Sequence, residues 1–379
     1  MNSCCADTAY GLYIHIPFCV KKCAYCDFAS VSAPKEQHDA YFFALQQELE
    51  NCKGKQLDSI FLGGGTPSCV DACYIAALFD RIYQTMTVLP GEEITLEANP
   101  GTLTPEKLRI YKECGVNRIS LGVQSMQERE LRTLGRIHSA REAMQAVELI
   151  HAAGFENVNL DLMLATPYQT RETLRDTLEK AITLAPTHIS AYSLIVEPGT
   201  PFYTLQQDGR LPLPDEDLER ALCDDAAAFL DAHSFIQYEI SNYAKPGFQC
   251  RHNLKYWQCL PYLGLGAAAH GYDGEMRCEN TADTEQYIRL IQTGKTPCIN
   301  KIKLTEADKV SEYIIMALRL TRGIVFDEFA RRFGFRFEEA YADTIRKYQN
   351  GGFFQIEQGG ICFTQKGFAV SNAILSEFV

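Results

Sequence analysis

The chain has 379 residues, of which 46% are hydrophobic and 22% charged, and its net charge is −12. That is enough chain for a large core and a second small one, and the acidic balance excludes general affinity for nucleic acid. No apolar run of about 18 residues occurs, which excludes a membrane-spanning helix and leaves at most peripheral contact, and Met1–Tyr10 lacks a basic-then-apolar secretion pattern, so a cytoplasmic location is expected.

Short β-like runs alternate with amphipathic runs. Strands are expected at Tyr10–Ile16, Leu57–Leu62, Glu93–Glu97, Asn117–Leu121, Asn157–Leu164 and Thr187–Leu194. Helices are expected at Glu36–Cys52, Cys69–Thr85, Thr104–Cys114, Ala140–Ala153 and Thr170–Leu184. Thr104-Pro105 reads as a cap followed by proline at the first helical position, and Gly115 and Gly154 as helix-terminating glycines. Strand followed regularly by helix predicts an α/β protein with a parallel sheet closing into a partial (β/α)6 barrel. Gln207–Asp217 reads as a surface loop and Glu216–His233 as a helix. Lys301–Lys303 reads as a linker. Helices at Glu306–Leu320, Phe326–Phe333 and Phe337–Tyr348 follow, then a hairpin of Phe353–Ile356 with Ile361–Thr364, then a helix at Lys366–Phe378. The expected organisation is a barrel over 1–235, a connecting segment over 236–300 and a small winged-helix-like domain over 301–379.

Fifteen cysteines is a high, odd count. In a reducing compartment the closely spaced ones are expected to be metal ligands and the rest buried apolar side chains. Cys19, Cys23 and Cys26 follow the first strand at spacings of four and three. Three thiolates around a [4Fe–4S] cubane leave one iron open to the amino and carboxylate groups of a methionine moiety. The alternative is zinc with His15 as a fourth ligand. Cys250, Cys259, Cys278 and Cys298 are too far apart to read as a second cluster, Cys69 and Cys73 read as core or surface thiols, and Cys4 and Cys5 as adventitious metal binders.

Gly63-Gly64-Gly65-Thr66 closes the second strand, where the backbone can approach a ligand; the alternative is a tight strand-to-helix turn. Polar residues recur at later strand ends. Glu97 suits two ribose hydroxyls, Arg136 a carboxylate as a bidentate donor, and Gln124 and Asp161 complete a polar cage. Cys250-Arg251-His252-Asn253-Leu254-Lys255-Tyr256-Trp257 brings a histidine and two aromatics into what reads as a polar loop. His252 could ligate heme iron and Tyr256 and Trp257 pack on a macrocycle, or the aromatics could fill a domain seam. His270 is a second candidate ligand, or a satisfied histidine at a strand end.

These motifs resemble the radical SAM superfamily, and within it the branch of oxygen-independent coproporphyrinogen III dehydrogenases and heme chaperones, over nearly the whole chain. The resemblance implies S-adenosylmethionine against the cluster, reductive cleavage to a 5′-deoxyadenosyl radical, and ligand or cluster contacts from Tyr13 and Tyr25 beside Gly64, Gly65, Thr66, Glu97, Gln124, Arg136 and Asp161. The H-N-x-x-Y-W stretch resembles the mark of the chaperones. Phe28 stands where the dehydrogenases usually carry a fourth cysteine, and the cysteine loop starts at residue 19 without the dehydrogenases' long N-terminal extension. The implied function is heme held as cargo and passed to an apo-hemoprotein, with cluster and S-adenosylmethionine serving a homodimer or gating transfer. Coproporphyrinogen III decarboxylation and radical methyl transfer are the alternatives. Ala165-Thr166-Pro167 and Ala267-Ala268-Ala269-His270 depart from the glycine-richer turns usual in the family.

Overall fold

The computed structural model of the protein describes residues 9–357 and 359–378, so Cys4 and Cys5 lie outside the described residues. Six strands run parallel and neighbour one another in chain order: β1 (Tyr10–Ile16), β2 (Gln56–Gly64), β3 (Thr87–Ala98), β4 (Arg118–Gln124), β5 (Asn157–Leu164) and β6 (His188–Ser193). Their middles are apolar and buried, as in Leu12, Ile14 and Ile16 of β1 or Ile119, Leu121 and Val123 of β4. Being alternate residues they share one face, the one that packs against the helices in the main core. Helices supply the cover, among them Lys35–Leu49, Ala72–Thr85, Pro105–Glu113, Ala140–Ala152 and Arg171–Thr183. The expected caps form: Thr104 accepts from the Lys107 amide, and Ser139 and Glu142 close a reciprocal capping box. These elements form the α/β partial barrel that the alternation predicted.

The sheet continues past both ends of the barrel. Beyond β6 lie β7 (Ile236–Gln237) and β8 (Asn242–Ala244), with β8 antiparallel to β6. Beyond β1 lie β9 (Tyr262–Leu265), β10 (His270–Tyr272), β11 (Met276–Asn280) and β12 (Cys298–Lys303), making twelve strands in one sheet. The segment expected to connect two domains therefore adds strands to both ends of the barrel sheet, with helices Arg251–Trp257 and Thr284–Gln292 between them. Lys301 to Lys303, expected as a linker, pair with Cys278 to Met276. Their lysines suit a sheet edge, where charge discourages further pairing, and that composition resembles a linker in the sequence.

A second core gathers Tyr313, Ile314, Phe329, Phe337, Phe363 and Phe378. Around it lie helices Glu306–Ala317 and Phe326–Phe333 and a three-stranded antiparallel sheet, Ile324–Val325 beside Gly360–Phe363 beside Phe354–Glu357. The expected helix at Phe337–Tyr348 is broken at Tyr341 and the last one at Val370, each with a φ far from the helical value. Aromatic packing on this small core overrides the continuous helical pattern.

Candidate functional site

The cysteine loop is held at several points. Pro17 ends the extended run, and Val31 returns to it, donating to the Pro17 carbonyl at 2.7 Å while the Cys19 amide donates to Val31 at 2.9 Å. Between them the Ala24 amide reaches the Leu134 carbonyl at 3.1 Å. The Tyr25 ring packs beside Phe202 in a small apolar cluster with Leu134 and Met163, so Tyr25 anchors the loop. The three thiols are free and partly exposed. Among the described residues no three His, Cys, Asp or Glu side chains group as one metal ion needs. Tetrahedral zinc requires such convergence, whereas a cubane takes each thiolate on a different iron. His15 is committed elsewhere, to Tyr13 Oη at 3.0 Å and the Ala29 carbonyl at 2.8 Å.

The glycine turn is pressed against this loop. The Gly65 amide donates to Ile16 and the Thr66 amide to Phe18, at 2.9 and 2.7 Å. A Cβ on Gly65 would stand 2.6 Å from the Phe18 carbonyl oxygen. Gly64 has φ +105°, and a Cβ there would meet the His15 ring at 2.4 Å. Only glycine fits both places without a shift of backbone or ring. Thr66 Oγ1 lies 3.4 Å from Cys19 Sγ and accepts from Asn99 Nδ2 at 2.8 Å.

Strand ends deliver the remaining groups. Glu97 Oε2 accepts from the Gly64 amide at 3.1 Å. Burial, then the nearby Asp161 charge, pushes its carboxyl up to about 8. Asp161 accepts from Asn159 at 2.8 Å and Ser120 at 3.3 Å, and burial raises it as well. Gln124 sits at φ 69°, where the β4–β5 register shifts. Arg136 differs from the expected bidentate carboxylate clamp. Its Nη1 donates toward Cys23 Sγ at 3.5 Å, and Nη2 donates to the Gly122 carbonyl at 2.6 Å and to Asn99. Its Nε is buried with no partner among the described residues. Arg136 thus keeps Nε–H and one Nη1 hydrogen unspent and places its charge beside a cluster thiol. Asn99, which ties Thr66 to Arg136, had no signal in the sequence beyond its place after a strand.

Beside this pocket lies a cavity of 730 Å³ that shares Tyr13, Gly64 and Glu97 with it. Tyr192, Tyr256, Trp257, Tyr262 and Tyr272 line it, with Phe28 at 62% exposure, and Arg277 is its one guanidinium among the described residues. Glu239 also lines it, fully buried, accepting from Asn242 and from the Ser241 amide at 3.2 Å; burial raises its carboxyl to about 7. Glu239 and Arg277 were not singled out by the sequence.

His252 requires a correction. Its stretch is a helix, Arg251–Trp257, rather than a loop. The i, i+4 spacing turns His252 and Tyr256 to one side, and the imidazole is wholly buried. Its Nδ1 bonds Ser59 Oγ at 3.0 Å and its Nε2 bonds Tyr256 Oη at 2.8 Å. Burial, then Lys255 and Arg118, lower its pKa to about 3. Both nitrogens are engaged, and the imidazole is not among the residues that line the cavity. Tyr256 and Trp257 do line the cavity.

A three-thiol loop, a glycine turn packed on it, and Glu97 of β3, Gln124 of β4 and Asp161 of β5 in a partial barrel define a radical SAM architecture. The Radical SAM superfamily profile matches residues 13–181 and the HemN C-terminal domain profile residues 304–370. The chain is 37% identical to the heme chaperone HemW of Bacillus subtilis (strain 168), over 97% of this chain and 98% of the relative. It is 44% identical to the heme chaperone HemW of Escherichia coli (strain K12), over 69% of each. The structure of the radical SAM enzyme coproporphyrinogen III oxidase (HemN) from Escherichia coli superposes with a TM-score of 0.85 at 22% identity, covering 98% of this chain and 91% of that one. The chain belongs to the HemW family of radical SAM proteins.

Proposed function

We propose that the protein binds heme in the 730 Å³ cavity and passes it to an apo-hemoprotein in the cytoplasm. The observation that carries this reading is the cavity itself, aromatic-walled, with the imidazoles of His15 and His270 and one guanidinium, in a chain similar end to end to heme chaperones. Flat aromatic faces suit a macrocycle, and the volume lies in the usual range for a bound cofactor.

The neighbouring pocket fits a [4Fe–4S] cluster on Cys19, Cys23 and Cys26 and S-adenosylmethionine on the Gly64–Thr66 turn, Glu97, Gln124, Arg136 and Asp161. Bound there, the pair supplies one-electron reductive chemistry. The chain's own residues do the rest. Gly64 and Gly65 keep the floor open, Glu97 accepts from ribose hydroxyls, and Arg136 offsets charge on the Cys23 thiolate. Because Tyr13, Gly64 and Glu97 face both spaces, S-adenosylmethionine and heme share a wall, which suits gating of transfer, with a homodimer as the second role for the pair.

The same shared wall favours a second reading, radical decarboxylation of coproporphyrinogen III lying in the cavity. One experiment separates the two. Cluster-loaded protein is given dithionite and S-adenosylmethionine, and 5′-deoxyadenosine, coproporphyrinogen III loss and heme transfer to an apo-hemoprotein are followed together. Heme transfer without tetrapyrrole turnover supports the chaperone; multiple-turnover loss of coproporphyrinogen III overturns it.

A further inference from the structure

We propose that His270 is the residue that bonds heme iron in this cavity, an assignment that rests on the heme-chaperone reading above. Heme iron is held in proteins by imidazole, thiolate, thioether or phenolate groups. Each class is present in the wall, and the structure commits nearly all of them elsewhere.

Cys259 is buried at 5% exposure, and burial pushes its thiol up to about 11, so it is a neutral thiol rather than a thiolate. Met316 packs against the C-terminal core. The phenols of Tyr13, Tyr192, Tyr256, Tyr262 and Tyr272 are all raised by burial, which disfavours phenolate, and Tyr272 Oη donates to the Gly274 carbonyl at 3.0 Å. His15 spends both ring nitrogens on Tyr13 and Ala29, and His252 spends both on Ser59 and Tyr256.

His270 is different in each respect. It lines the cavity, is exposed, and its ring makes no hydrogen bond with another described residue. Its placement follows from strand geometry. Alternate residues of β10 share a face, so His270 stands with Tyr272 and on the side away from Gly271. Tyr272 pairs in register with Arg277 of β11, whose guanidinium lies 4.6 Å from the Tyr272 ring centroid. One face of one hairpin thus presents an imidazole for iron, an aromatic for the ring plane and a guanidinium for a carboxylate. Arg277 holds Glu312 through Nε and Nη2, while its Nη1 has only a 3.5 Å contact with Tyr262 Oη and can turn to a heme propionate.

The test titrates cluster-loaded protein with ferric heme and records the heme absorption band and electron paramagnetic resonance of wild type, His270→Ala and His252→Ala. Cluster content and melting temperature confirm that each variant is folded. Wild type is expected to show a histidine-ligated spectrum. His270→Ala is expected to lose it, to bind heme about tenfold or more weakly, and to regain the spectrum with added imidazole. His252→Ala, corrected for its folded fraction, is expected to keep it. Heme bound by wild type with an unchanged spectrum in His270→Ala overturns the iron assignment and leaves the chaperone reading standing. No heme bound by wild type overturns both.

Discussion

A carboxyl raised to about 8 by burial and by Asp161 is mostly protonated at neutral pH, which is the state of Glu97 without ligand. The ionised form is the better acceptor for ribose hydroxyls. S-adenosylmethionine affinity is therefore expected to rise as pH climbs toward 8, by up to about tenfold per unit, and then level. Glu97→Gln removes that part of the slope and binds about 10-fold to 100-fold more weakly at high pH, measured by calorimetry on cluster-loaded protein. The sign for stability runs the other way. The folded-state value lies above the ordinary 4.5, so the unfolded chain ionises first. The contribution of Glu97 is fully present at acid pH and lost as pH rises through about 8. His252 acts in folding: His252→Ala strands Ser59 and Tyr256 Oη and opens a cavity, and a loss of about 2–4 kcal/mol is expected in denaturant titrations. Ala165 and Ala268, the departures from glycine noted in the sequence, sit at φ 55° and 59°. A side chain there costs about 1–2 kcal/mol, so Ala268→Gly is expected to raise the melting temperature, partly offset by the freer unfolded chain.

At the level of elements, the loop 17–31 and the glycine turn after β2 form one unit, joined by backbone bonds of Gly65 and Thr66 to Ile16 and Phe18. Gly65→Ala forces these apart, since its Cβ would lie within 3 Å of three backbone atoms. The expected outcome is a folded protein that retains less than about a third of the wild-type iron and sulfide after reconstitution, because misplacing one thiolate by an ångström breaks the cluster geometry. Normal iron retention would show that the turn does not position the loop. The two halves of this unit were legible in the sequence because each is a tight local motif that follows a strand whose end was predictable, although some 47 residues separate Cys19 from Thr66. The helix at Arg251–Trp257 was not, since seven residues give too short a period to separate a helix from a loop.

Across the whole molecule, Arg332 joins the C-terminal unit to the sheet side of the cavity. It donates to the Gln258 and Cys259 carbonyls, each at 2.7 Å, and lies over the Tyr313 ring at 4.8 Å. Arg277 and Glu312 form a second tie, at 2.5 Å. Arg332→Ala leaves two carbonyls without their donor and is expected to cost about 1–3 kcal/mol of docking. The reading is faster amide exchange in residues 306–378 with the barrel strands unchanged. Uniform exchange would instead mean that the two cores unfold together.

Sequence alone determined the parallel barrel, the three-cysteine loop and the glycine turn, because each is written in local periodicity or tight spacing, whereas Glu97 and Asp161 stood out only through the family resemblance. The cores, seam and cavity were decided by tertiary structure. His252 and His270 look alike as residues, and both were candidate ligands. Packing of a short helix against β1 and β2 buries the first and satisfies both its nitrogens, while the β10–β11 hairpin leaves the second facing open space. Asn99, Glu239 and Arg277 join the site from strands and loops distant in the chain. Which polar side chains meet is set by sheet order and register, and no local pattern encodes that.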